Sequence, residues 1–218
     1  MSGNLHKFTS ETAEHGSPPD VIESSRAALG GCIDLDPASN ATFNKVVQAN
    51  KIYTERSNGF TKAWCGTVFL NPPGGLCDSK GKRVIMVKDV SFVYANGKPA
   101  SEHYSAICLW WFNLVDQWMN GGVSSAVFIG FSLEILQRAQ AYRAERWPHL
   151  GIPTDYPFCI PDKRLMFSKQ VGKLLAKGSS PTHANVITYL PHKTDYAAGA
   201  REFKNQFAKY GAVIIPGC

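Results

Sequence analysis

The chain has 218 residues, 44% of them hydrophobic, enough for one domain of good size with a real apolar core. Its 23 Lys and Arg outnumber its 17 Asp and Glu and leave a net charge of +6, which fits a polyanionic partner and equally an incidental surplus. No run approaches the roughly 18 apolar residues of a membrane span, the polar N-terminus lacks the apolar stretch of a secretion signal, and the six cysteines form no CxxC pair, so membrane-spanning, secreted and zinc-ribbon classes are not expected.

Residues 1–16 are polar and are expected to be flexible, with the folded domain running from 17 to 218. "SPPDVIESSRAALGG" reads as a helix opened by its prolines and Asp20 and closed by Gly30–Gly31. "CIDLD" is a short strand ending in acid. "PASNATFNKVVQAN" reads as a helix, "KIYT" as a second short strand and "ERSNGFTKAW" as a loop. "TVFL" is a continuous apolar run, as a central strand buried on both faces requires. Residues 76–103 alternate apolar and polar positions between Gly-containing turns, the pattern of an inserted hairpin, and carry Lys80, Lys82, Arg83, Lys88 and Lys98.

Beyond it, "YSAICLWWFNLVDQWM" is an apolar helix whose Trp110, Trp111 and Trp118 read as core. "VSSAVFIGF" is a buried strand, and Ser132 caps the helix that follows it. "YPFCIPDKRLMFSK" and "HANVITYL" read as two strands near a sheet edge, joined by a Gly/Ser/Lys loop. Asp195 opens a last helix, and "AVIIP" reads as a final strand. Strands alternating with helices predict an α/β fold with helices on both faces of the sheet. Such sheets bind ligands beyond the carboxyl ends of their strands. "DLDPAS" and "NPPGG" therefore share one rim.

At that rim, Asn71 offers an acceptor and a donor, and Pro72 and Pro73 form a rigid turn with exposed carbonyls. The arrangement suits an amino group that donates one proton to the Asn71 oxygen and one to the Pro72 carbonyl. An ordinary strand-to-loop turn accounts for the same residues, because Asn-Pro is a common turn marker. Asp34 and Asp36 are able to pair with a ligand's ammonium or accept from hydroxyls; Asp36, nearest the strand end, is the stronger choice, and with Pro37 it also suits a helix cap.

"NPPGG" resembles the catalytic motif of DNA amino-methyltransferases, in which Asp, Asn or Ser precedes two prolines and an aromatic. Together with "SPPDVIESSR", "IDLDPASN", "YTERSNGFTKAWCGTVFL", "PDKRLMF" and "GSSPTHANVITYL", it resembles the phage-type Dam family of DNA N6-adenine methyltransferases over residues 17 to about 190. That resemblance implies a Rossmann-like methyltransferase sheet, S-adenosylmethionine as cofactor and DNA as partner, in the cytoplasm of a bacterial host. It assigns Asn71, Pro72 and Pro73 to the N6 amine of a flipped adenine. It assigns Asp34, Asp36, Pro37, Ala38, Ser39, Asn58 and Phe60 to the cofactor. Asn58–Gly59 is also explained as a simple turn, with Phe60 as core.

Two features depart from the family pattern. The first strand is not followed by a Gly-x-Gly loop. Gly74 stands where an aromatic usually stacks on the base, so either Phe131, Phe92 or Trp110 supplies the platform, or the base is held weakly, or the protein is catalytically poor and keeps only cofactor or DNA binding. Lys80, Lys82 and Arg83 are the expected phosphate contacts, with Arg164 at the rim touching phosphate or buttressing Asn71. Alternatives are methylation of cytosine N4, by the same amine logic, and a DNA-binding protein of this fold without catalysis.

Overall fold

A computed structural model describes residues 15–87, 91–171, 174–177 and 183–217. Residues 1–14 of the expected flexible segment 1–16, Lys88 and the 178–182 loop lie outside the described residues. In chain order the elements are β1 (His15–Gly16), α1 (Pro19–Ala28), β2 (Leu35–Asp36), α2 (Asn44–Val47), β3 (Lys51–Ile52), β4 (Gly66–Leu70), β5 (Leu76–Cys77), β6 (Arg83–Val87), β7 (Ser91–Tyr94), β8 (Tyr104–Ser105), α3 (Ala106–Met119), β9 (Val123–Gly130), α4 (Glu134–Glu145), β10 (Phe158–Pro161), β11 (Ser168–Val171), β12 (Leu174–Lys177), β13 (Val186–Leu190), α5 (Tyr196–Phe207) and β14 (Gly211–Ile214).

The fold is mixed α/β with three sheets. The central one has seven strands in the order β14-β10-β13-β9-β4-β2-β3. Its β3, β2, β4 and β9 run parallel, while β13, β10 and β14 pair antiparallel. Alternation along β4 sorts the core into two layers. Val68 and Leu70 face α3 and α4, with Trp111, Leu114 and Ile135. Phe69 faces the other way, onto Val21 and Ile22 of α1 and Phe203 and Phe207 of α5. Helices therefore cover both faces, which is why "TVFL" is apolar throughout. Each fully buried side chain of this size contributes about 1.5–3 kcal/mol.

Between β4 and α3 the chain makes a four-stranded antiparallel sheet, β7-β6-β5-β8, larger than the single expected hairpin. The third sheet, β1-β11-β12, corrects two expectations. His15–Gly16 is a strand paired with Ser168–Lys169 and not a loose end. "SKQV" and "LLAK" form a hairpin beyond β10, where one strand and a loop were expected. The helix expected over 37–50 is also shorter. The Asn40 side chain accepts from the N–H groups of Thr42 and Phe43 at 2.8 and 3.0 Å, which holds that stretch in turns until Asn44.

Among the described residues, no helix is long and apolar enough to cross a membrane. Cys32, Cys65, Cys77, Cys108 and Cys159 are free thiols, and burial pushes those of Cys77 and Cys159 up to about 12.

Candidate functional site

The chain enters the central sheet at β2, steps outward to β3, then returns to the other side of β2 to form β4 and β9. The direction of winding thus reverses between β2 and β4. In an open α/β sheet, such a reversal opens a crevice at the carboxyl ends of the two strands. Asp36 ends β2, and Asn71 follows directly on β4. Both line one small cavity of about 20 Å³ with His15, Ser17, Ser39 and Phe43.

Asp36 is fully buried, and burial pushes its carboxyl up to about 7, opposed by the Ala38 N–H, which donates to Oδ1 at 3.1 Å, and by the Ser39 side chain. Among the described residues, no Lys, Arg or His pairs with it. On the same wall, the Ser17 hydroxyl is buried without a partner among the described residues.

The Asn71 amide is oriented by the backbone. Its Nδ2 donates to the His15 carbonyl oxygen at 2.6 Å, which uses one donor, and no donor reaches its Oδ1 among the described residues. Burial, then the nearby Lys169, lowers the His15 imidazole pKa. Pro72 is buried and Pro73 half-buried. The two glycines after them serve different ends. Gly75 adopts φ +84°, which disfavours any side chain. Gly74 has an ordinary φ, but a Cβ there would stand 3.3 Å from the tip of the Phe131 ring.

Asp34 stands apart from this crevice. Its carboxylate accepts from the Thr67 N–H at 2.9 Å, the Thr67 hydroxyl at 3.1 Å and the Asn50 amide at 3.1 Å. The Thr67 N–H, above all, holds its carboxyl below the usual range. Asp34 therefore ties β2 to the amino end of β4. Ala38 and Ser39 line the crevice, whereas the Pro37 carbonyl faces Gly59.

Asn58 is left-handed at φ 47°, and its Nδ2 donates to the Lys80 carbonyl at 3.2 Å. The Phe60 ring packs edge-on to Trp110 and touches Gly81. These two residues bind the loop to the insertion and the core and do not line the crevice. Replacing Gly59 with Ala drives a methyl onto the Pro37 carbonyl. The expected result is a loss of roughly 1–3 kcal/mol, read as a lower urea midpoint.

In the insertion, Lys80, Lys82 and Arg83 are exposed, and the Lys82 ammonium lies 4.3 Å from the Tyr94 ring centre. Arg164 is exposed in the loop after β10. Its neighbour Leu165 reveals a residue that sequence reasoning missed. Asn185, 2% exposed, accepts from the Leu165 N–H at 2.9 Å and donates to the Phe131 carbonyl at 3.2 Å. His15 and Ser17 were missed as well. Asn185 and His15 act through partners distant in the chain, and Ser17 matters only through the wall it shares, which no local pattern announces.

Comparison with family models, curated proteins and solved structures finds no significant match to this chain.

Proposed function

We propose that this chain methylates the N6 amino group of adenine in DNA, with S-adenosylmethionine as donor. One observation carries the reading. An Asn amide, held by its donor half with its acceptor open, sits beside an unpaired buried carboxylate at the crevice where the sheet reverses. The strand order, with helices on both faces, supports a Rossmann-like methyltransferase sheet.

The groups at the crevice suit the cofactor chemically. Asp36 would take an ammonium or ribose hydroxyls, and the unpartnered Ser17 hydroxyl lies on the same wall. When bound, S-adenosylmethionine supplies a methyl group activated by a sulfonium. The Asn71 oxygen and the Pro72 carbonyl would accept hydrogen bonds from the two N6 hydrogens, which localises the nitrogen lone pair. The methylated nitrogen would carry a positive charge and lose one proton to solvent, while the donor would be left as a neutral thioether, so no side chain must remove the proton first. Catalysis then rests on positioning and exclusion of water. The +6 charge and the exposed Lys80, Lys82, Arg83 and Arg164 fit the phosphate backbone.

The space is small. The 20 Å³ crevice and a neighbouring apolar cavity of about 220 Å³ share Gly16, Ser17, Phe43 and Val47 as walls. Ligand sites usually need roughly 300 Å³ or more. Seating the cofactor would therefore take a shift of the 15–17 segment that joins the two cavities and widens them. Amide exchange at Ser17 is expected to change on adding S-adenosylmethionine, and unchanged exchange with tight binding would contradict this.

The small crevice also favours a second reading, DNA binding without transfer. Incubating unmethylated DNA with labelled S-adenosylmethionine separates the two. Label recovered as N6-methyladenine supports the proposal. Label on cytosine moves the target, and no label with no cofactor binding leaves the non-catalytic reading.

A further inference from the structure

The rim lacks an aromatic at residue 74, yet an unpaired base needs a flat surface to rest against. Three residues are in question, and the structure separates them. The Phe92 ring is stacked on His103, with centroids 3.5 Å apart, inside the insertion. Trp110 is 5% exposed, stacked on Trp64 and edge-on to Phe60. Phe131 is half-buried and packs against the edge of both core layers, but its ring is stacked on no other aromatic among the described residues.

Phe131 also stands where it is needed. It is the first residue past β9, the parallel neighbour of β4, whose Leu70 lies in register with Phe128. Its Cζ, Cε1 and Cε2 lie 3.3, 3.6 and 3.9 Å from the position of a Cβ on Gly74. The ring thus projects from one strand end into the space that a side chain at 74 would fill. Its backbone is pinned on both sides. Asn185 holds its carbonyl, and the next residue, Ser132, accepts from the Glu134 N–H at 3.2 Å to cap α4.

We propose that Phe131 is the aromatic platform for the target base, and that Gly74 is glycine because Phe131 already occupies its side-chain space. This rests on the methyltransferase reading above. Phe131 is a substrate-positioning residue and takes no part in bond making.

The test uses the full chain, unmethylated genomic DNA and labelled S-adenosylmethionine. Phe131→Leu keeps apolar bulk and removes the π-face. It is expected to lower kcat/KM for DNA by about 5- to 150-fold, with cofactor affinity unchanged and a melting temperature lowered by only a few degrees, since the residue packs at the edge of the core. Phe131→Trp is expected to keep activity within a few-fold of the parent. Gly74→Tyr alone is expected to lose activity through collision with Phe131, and Gly74→Tyr with Phe131→Ala to recover it. The proposal is overturned if Phe131→Leu matches the parent, or if Phe131→Trp is as poor as Phe131→Leu at equal melting temperature. A parent chain without transfer overturns the methyltransferase reading itself, and the platform with it. A parent chain that transfers methyl while Phe131→Leu does the same overturns the platform alone.

Discussion

Replacing Asn71 with Ala is expected to reduce methyl transfer by at least about 100-fold, the usual effect of deleting one preorganised polar group from a reacting centre. The stability cost should be slight. The side chain is half-buried, and it loses one hydrogen bond, to the His15 carbonyl, typically about 0.5–1.5 kcal/mol net. Asn71→Asp divides the two roles of the amide. It keeps an acceptor for the amine and loses the donor that His15 aligns. Its activity is expected to fall between those of the Ala variant and the parent. Wild-type-like transfer by Asn71→Ala, measured with labelled cofactor, would sink the assignment.

The second large effect concerns Asp36. Burial raises its folded pKa to about 7, above the ordinary carboxylate value of 3.8, so folding favours the protonated carboxyl. Below about pH 4 the group is protonated in both states and has no pH-linked effect. Between about pH 4 and 7 the unfolded chain ionises first, and stability falls as pH rises; above 7 the loss is complete. Asp36→Asn removes this slope. The advantage of the variant over the parent is therefore expected to grow by about 3 kcal/mol between pH 5 and pH 8, as measured by urea unfolding. The desolvation of the amide itself is the same at both pH values and cancels. A pH-independent difference would show that Asp36 is not buried as an unpaired acid. The same variant should bind S-adenosylmethionine poorly, because an ammonium near Asp36 favours its ionised form.

Much of this rim was legible in the sequence. An apolar run with no polar break, "TVFL", requires cover on both faces, and the Asn and prolines after it mark its end. The helix of residues 19–28 announced itself through its prolines, Asp20 and Gly30–Gly31. Local competition hid other parts. The Asn40 side chain captures nearby N–H groups and cuts short a helix that composition alone favours. Asp34 and Asp36 look equivalent in "DLD". Only the pairing of Thr67 with the first and the place of the second in the crevice wall, with no cation beside it among the described residues, tell the two apart. Asn185 was illegible because its worth lies in joining Leu165 to Phe131, segments 34 residues apart.

The His15 carbonyl has one more consequence. The segment that latches Asn71 also walls off the crevice beside Asp36. It cannot lift to admit a cofactor and hold the amide in line at the same moment. Under the proposed reading this dictates a compulsory order of addition, with S-adenosylmethionine entering first and DNA meeting an aligned Asn71 only after the latch has closed again. The demethylated cofactor product would then compete with S-adenosylmethionine but not with DNA, a pattern visible in inhibition kinetics without any further structure.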